Sequence, residues 1–227
     1  MGKAEFFEFL SCNIGWLNIS STVMTTWFLM GVLLMVACVS ARDLKVEKVS
    51  TLQSAMEGIV LTLQETIEEA SPGHSKHLLP FIGTLWLFIA LSNLAGLIPG
   101  LSSPTGDISF TAALAVLVFF SVHWFGIRID GLRTYLKHYL SPNPILLPFH
   151  ILGELTRTLA LSVRLFGNIM SLEMAALLVL LVAGFLAPVP LLMLHIIEVL
   201  VQAYIFGMLA LVYVAGALQS HQLQHKE

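Results

Sequence analysis

Charge is what this sequence has least of. Of its 227 residues, 11 are Lys or Arg and 14 are Asp or Glu, 11% in all, while 57% are hydrophobic. A water-soluble domain carries about 25% charged and about 45–50% apolar residues. A chain this poor in charge cannot cover a water-facing surface, so lipid must be its main solvent. The charges are missing in blocks. No Asp, Glu, Lys or Arg occurs from Phe9 to Ala41, from His77 to Gly106, or from Val199 to His225. Each block reaches the roughly 20 residues that cross a hydrocarbon core about 30 Å thick.

Other absences narrow the function. There is no basic run for nucleic acid, and a net charge of −3 points to no partner. There is no Walker-type glycine loop, no His-Glu-x-x-His and no Gly-x-Ser-x-Gly. Neither a nucleotide site nor those hydrolytic chemistries are expected, and no cofactor. The two cysteines, Cys12 and Cys38, stand far apart and outside any motif; Cys38, in an apolar run, reads as a buried free thiol. Glu5 and Glu8 outweigh Lys3 before the first apolar run, so no cleaved signal peptide is expected. Nothing repeats at a fixed period.

What is present is helical. Spans are expected at 22–41, 78–98 and 109–127, followed by two long helices at 149–183 and 189–220. Between the first two spans, a polar segment holds an amphipathic helix over 52–70 with apolar Leu52, Met56, Ile59, Val60 and Leu63. That helix reads as lying on the membrane surface or against a partner. Ser71-Pro72-Gly73 ends it, Ile98-Pro99-Gly100 closes the second span, and Ser141-Pro142-Asn143-Pro144 turns into the fourth. Some 30 residues at 1.5 Å each make about 45 Å, so the last two helices must tilt, kink or emerge from the bilayer. The expected fold is an all-α integral membrane protein, one domain of about five membrane helices plus the amphipathic one. Arg42, Lys45, Lys48, Lys76, Arg128, Arg133, Lys137 and Lys226 fall on one side of the membrane, and only Lys3 on the other. The positive-inside rule then puts the C-terminus in the cytoplasm and the N-terminus outside.

An ionisable group inside a span is costly and is a functional hypothesis by default. Glu154, Arg157, Arg164, Glu173, His195 and Glu198 all fall on the last two helices, joined by polar Asn168 and Gln202. In the first three spans only His123, near the end of the third, is titratable. Helical spacing puts Arg157, Arg164 and Asn168 on one stripe and Glu173 nearly opposite, while Glu154 is spaced to pair with Arg157. His195, Glu198 and Gln202 form a stripe on the final helix. Interhelical hydrogen bonds, worth about 0.6 kcal/mol each, compete as an explanation for Asn168 and Gln202 but leave Arg164 unexplained. An arginine, unlike a lysine, holds its charge in such surroundings and favours the ionised form of a carboxylate beside it. Carboxyl and imidazole groups can instead take up and release protons. His195 and Glu198 have a spacing a metal could use, but two ligands are too few.

The run Arg164-Leu165-Phe166-Gly167-Asn168, within LALSVRLFGNIMSLEM, resembles the signature of subunit a of the F-type ATP synthase, the stator of its membrane sector. HIIEVLVQAYIFGMLALVY resembles that family's last helix, with Gln202 at its glutamine position, and SNLAGLIPG at 92–100 its second-span motif. The resemblance covers most of the chain from Leu78 onward. It implies a non-catalytic subunit whose steeply tilted last two helices curve along a ring of c subunits, each carrying a membrane carboxylate. It implies that Arg164 keeps that carboxylate ionised between two offset half-channels and blocks a direct leak. Glu173 and His195 match the family's channel positions on the periplasmic or lumenal side. Asn168 and Gln202 lie near the arginine, and Glu198 is a further candidate in that half-channel. Proton flow, with sodium the alternative, would turn the ring against b-type peripheral stalk subunits and drive ATP synthesis in a soluble head. The expected site is a bacterial inner membrane, an organellar inner or thylakoid membrane being the alternative.

A plain antiparallel ladder folded near Ala187 sets Gln202 opposite about residue 172. The family geometry instead carries it to Arg164, through an offset turn or curved helices. A proton-coupled secondary transporter is the rival reading. Such a protein also places charges near the midplane, but often with inverted repeats that are not visible here.

Overall fold

The computed structural model describes residues 13–14, 17–18, 21–42, 51–98, 103–131, 147–184 and 188–224. The expected turn at 141–144, and Lys3, Lys45, Lys48, Arg133, Lys137 and Lys226, lie outside them. The architecture is all-α: α1 (Ser21–Arg42), α2 (Thr51–Ala70), α3 (Ser75–Ala95), α4 (Ile108–Asp130), α5 (Leu147–Ala183) and α6 (Pro188–Gln224). Five of these, all but α2, are long and apolar enough to cross a membrane. In hydrocarbon a backbone N–H or C=O finds no water, so segments that satisfy their own hydrogen bonds are what such a composition permits. Residues Asn13–Ile14 and Leu17–Asn18 add only a minimal antiparallel pairing.

The outer helix α1 is held by one edge. Only Thr25 and Leu29 are buried, and Thr22 Oγ1 donates to Asp107 Oδ2 at 3.1 Å. Its remaining apolar surface is open, including Cys38, which is free and exposed rather than buried. An apolar run in this chain faces lipid as readily as protein, so hydropathy alone misplaced that thiol. On α2, Leu63 approaches Gly83 of α3 and Ile67, one turn on, is fully buried, whereas Ile59 and Val60 are exposed. The covered face is therefore narrower than the apolar pattern implies. At the α2–α3 turn the Glu68 carboxylate accepts the Gly73 N–H at 2.8 Å. The Ser75 hydroxyl, then that N–H, hold Glu68 below the usual carboxylate range.

Helix α3 closes at Ala95, three residues before the expected 98. Tight bonds from Gly96, Leu97 and Ile98 N–H groups to Asn93, Leu94 and Ala95 carbonyls tighten the chain there. Gly96 is needed at this point, because a Cβ on it would lie 2.8 Å from the Ser103 Cβ. The returning segment is knitted to α3 by buried polar groups. Ser103 Oγ donates to the Ser92 carbonyl at 3.1 Å, and Thr105 Oγ1 to Asn93 Oδ1 at 2.7 Å. Asn93 Nδ2 reaches across to the Val199 carbonyl of α6 at 3.4 Å. Asp107 then caps α4, accepting the Ser109 N–H at 2.9 Å.

Helices α5 and α6 have 37 residues each, about 55 Å at 1.5 Å per residue. Gly184, with φ of +80°, ends α5, a conformation that favours glycine just past a helix. Proline at the start of α6 lacks only an N–H that has no helical partner there. Leu161, Leu165 and Ile169 bury one stripe of α5, and Phe206, Ala210 and Val214 one of α6. Small residues let backbones approach in a bundle where lipid is as apolar as leucine. Trp86 of α3 shows this most sharply: its indole lies over Gly207 of α6 and stacks on Tyr204, centroids 5.6 Å apart.

A Cβ built on Gly207 would fall 1.2 Å from Trp86 Nε1, so an alanine there must displace the indole. Gly207→Ala is expected to destabilise the subunit by about 1–3 kcal/mol through overpacking. Thermal melting in detergent checks this, and the penalty should vanish in a Trp86→Ala background. An equal penalty in both backgrounds would mean that the indole is not what Gly207 accommodates.

Candidate functional site

Two contacts set the register of the α5–α6 hairpin. Asn168 Nδ2 donates to Gln202 Oε1 at 2.6 Å, and the Arg157 guanidinium lies 5.6 Å from the centroid of the Tyr213 ring, a cation–π distance. Both pairs are symmetric about residue 185. The plain ladder folded near Ala187 is therefore off by one helical turn: Gln202 meets Asn168 rather than residue 172. The difference is two residues in the centre of symmetry, 185 rather than 187, which doubles to four residues, about one helical turn, at Gln202. No unusual curvature is needed to bring Gln202 to Asn168, and Arg164 lies one turn beyond. Gln202 is only 2% exposed, and its Nε2 is buried with no hydrogen-bond partner among the described residues.

Arg164 is placed by its neighbours. It precedes fully buried Leu165 by one residue, so the stripe that buries Leu161, Leu165 and Ile169 turns Arg164 outward. The register puts it level with Phe206, which offers no acceptor. Arg164 is exposed, beside exposed Leu159 and Val163, and among the described residues it has no hydrogen-bond or ion-pair partner. Anchored Arg157 and Asn168 lie on either side of it along the same edge of α5. A guanidinium thus stands on an apolar face of a membrane-length helix with no acceptor among the described residues.

The titratable residues sort by depth. Glu173, nine residues beyond Arg164, is about 13.5 Å further along the helix. It is half-buried, with Oε2 about 4.0 Å from where a Cβ on Gly106 would be, so it faces the turn between α3 and α4. His195 is 8% exposed and shares the inward side of α6 with Val199 and Gln202, while Glu198 is half-buried. Among the described residues no group of three His, Cys, Asp or Glu side chains converges as metal ligands would.

The other end of the hairpin departs from expectation. Glu154 does not pair with Arg157; its Oε2 lies 3.3 Å from His123 Nε2 of α4. Four residues earlier in α4, the Phe119 carbonyl lies 2.9 Å from His123 Nδ1, so this side of the imidazole is the donor. Sequence reading singled out His123 as the one titratable group of the third span without finding its partner. A lone ionisable side chain in a span calls for one. The buried Ser103, Thr105 and Asn93 group was also missed, because hydroxyl and amide residues near a loop carry no periodic signal.

The sequence model of the family described as ATP synthase A chain matches residues 23–215 of this chain. The chain belongs to the ATP synthase subunit a family. A subunit a from Pelobacter propionicus is 62% identical over 208 residues, covering 92% of this chain and 91% of that protein. One from Legionella pneumophila is 53% identical over 224 residues, covering 99% and 97%. One from Hahella chejuensis is 62% identical over 207 residues, covering 91% and 88%. As a member of this family the chain is a multi-pass membrane subunit of the ATP synthase, takes part in ATP synthesis and ion transport, and is not itself catalytic. The other subunits of the synthase are its partners.

The His123–Glu154 contact and the Glu154–Arg157 pair suggested by spacing can be told apart by double-mutant cycles on thermal stability. His123→Ala with Glu154→Ala should show a coupling of about 0.6 kcal/mol, up to about 1.7, as for polar contacts between membrane helices. Glu154→Ala with Arg157→Ala should be additive. The reverse pattern would restore the pairing that spacing alone suggests.

Proposed function

We propose that this subunit is the ion-translocating stator of a rotary ATP synthase, with Arg164 as its essential fixed charge. The carrying observation is that Arg164 is exposed on an apolar face and has no acceptor among the described residues. An arginine at the centre of a membrane helix costs about 2.5–3.5 kcal/mol even with relaxation. That cost is offset when a carboxylate on a neighbouring molecule comes beside it. The c-subunit ring, with one membrane carboxylate per subunit, is the partner that fits. Facing Arg164, each carboxylate is held ionised; leaving it, the carboxylate reprotonates. A permanent positive charge at that point also repels a cation attempting to pass straight through.

Ions reach and leave the ring through two half-channels at different depths. Glu173 and His195, with Glu198 as a further member, serve the one on the outer side, near the α5–α6 turn. Asn168 and Gln202 sit between that group and Arg164 and hold the hairpin in register beside it. The coupling ion is the proton, with sodium the alternative. The subunit works against b-type peripheral stalk subunits, in a bacterial inner membrane, with its N-terminus outside and its C-terminus in the cytoplasm. The asymmetry of Lys and Arg supports that orientation: Arg42, Lys76 and Arg128 end or begin spans on the same side.

The test is ATP-driven ion pumping in inverted membrane vesicles, comparing wild type with Arg164→Ala at equal assembly of the complex. Pumping should fall to background in the variant while ATP hydrolysis by the soluble head persists. Undiminished pumping would remove Arg164 from the mechanism.

A further inference from the structure

A cavity of about 670 Å³ opens where the α2–α3 turn meets the end of α4, lined by Gly73, His74, His77, Phe125 and Arg128. It is remote in role from Arg164 and from the hairpin contacts. Among the described residues its lining contains two imidazoles and a guanidinium and no carboxylate. We propose that it binds the phosphodiester headgroup of an acidic glycerophospholipid.

Four observations support this assignment. Among the described residues neither His77 nor Arg128 has a hydrogen-bond or ion-pair partner, so both have donors to offer. His74 points one ring nitrogen, Nδ1, at the Pro72 carbonyl, 3.1 Å away; a carbonyl only accepts, so Nδ1 carries hydrogen, and Nε2 donates to a phosphodiester in the imidazolium form, which a bound anion favours. The nearby carboxylate of Glu68 is engaged by the Gly73 N–H and by Ser75, and does not line the cavity. Finally, the depth is right. Arg128 is the last residue of the apolar stretch Ile108–Arg128, and His77 lies in the first turn of Ser75–Ala95, so the cavity sits where two spans meet water.

Neighbouring aromatics agree with that level. Trp124, one turn inward from Arg128, is 63% exposed, as tryptophan is in the interfacial belts of membrane proteins. Phe125 gives the cavity an apolar wall suited to the glycerol and first methylenes of a lipid rather than to a free, fully hydrated ion. Basic pockets between spans on the cytoplasmic side recur as headgroup sites, because the anionic leaflet supplies the ligand at high local concentration. Gly73, with φ of +80° and open space around it, allows the turn to approach a headgroup closely.

The complex containing this subunit would be reconstituted in phosphatidylcholine vesicles doped with a photoactivatable phosphatidylglycerol. Irradiation should label peptides around 73–77 and 125–128, more strongly than a photoactivatable phosphatidylcholine with the same acyl chains. Excess unlabelled phosphatidylglycerol should compete, and excess inorganic phosphate should not. Arg128→Gln should lower the labelling about fivefold, the effect of one cation near an anionic surface. Equal labelling by the two lipids overturns the proposal, and that comparison needs no variant to assemble. Competition by inorganic phosphate but not by phosphatidylglycerol also overturns it, assigning the cavity to a soluble anion. Unchanged labelling in an assembled Arg128→Gln complex would remove the guanidinium from the site.

Discussion

Hydrocarbon neither donates nor accepts a hydrogen bond, and much of the polar placement described in this chain answers to that. Backbone groups close on themselves within helices. Side chains that carry polar atoms into the bundle find partners on another helix: Asn93 at the Val199 carbonyl, Asn168 at Gln202, His123 at Glu154. Arg164 departs from this pattern. It is charged, outward-facing and without a described partner, on a helix whose other exposed side chains at that level are apolar. In water such an arginine would mean nothing. At membrane depth it is costly unless a second molecule completes it, which is why the proposed role rests on it.

The rest of the hairpin holds that charge in place. Gly184 stops α5, the register that follows joins Asn168 to Gln202 and Arg157 to Tyr213, and Arg164 lies between two anchored points. Behind α6, the Trp86 indole occupies the space a side chain on Gly207 would fill, so α3 backs the helix closely where a larger residue would hold it off. In the proposed role such a charge needs a rigid support, because a guanidinium displaced by a few ångströms would lose the geometry that role requires. The His123–Glu154 contact adds a tie between α4 and α5 at the other end.

Much of this was legible from the chain. Blocks without charge marked the spans, and arginine followed by Leu165, Phe166, Gly167 and Asn168 marked the family. What failed did so for identifiable reasons. Cys38 was expected inside, but an apolar residue in a membrane protein satisfies its solvent equally well facing lipid. Glu154 was spaced to pair with Arg157, since spacing along one helix finds only partners on that helix; the partner described is His123 on α4. The ladder was misplaced by one turn because an error of two residues in its centre, 187 against 185, doubles across a hairpin.

The sequence by itself determined that the chain lives in lipid, that its polar chemistry is concentrated on its last two helices, and which family it joins. Those properties follow from composition and from short contiguous motifs, which exist before folding. Only the tertiary structure decided which polar groups are spent on holding helices together and which are left over. Among the described residues Asn168 and Gln202 are partnered and Arg164 is not, although all three stand out in the sequence. That division depends on the register of α5 against α6 and on the face each helix buries, and neither is set until the helices pack.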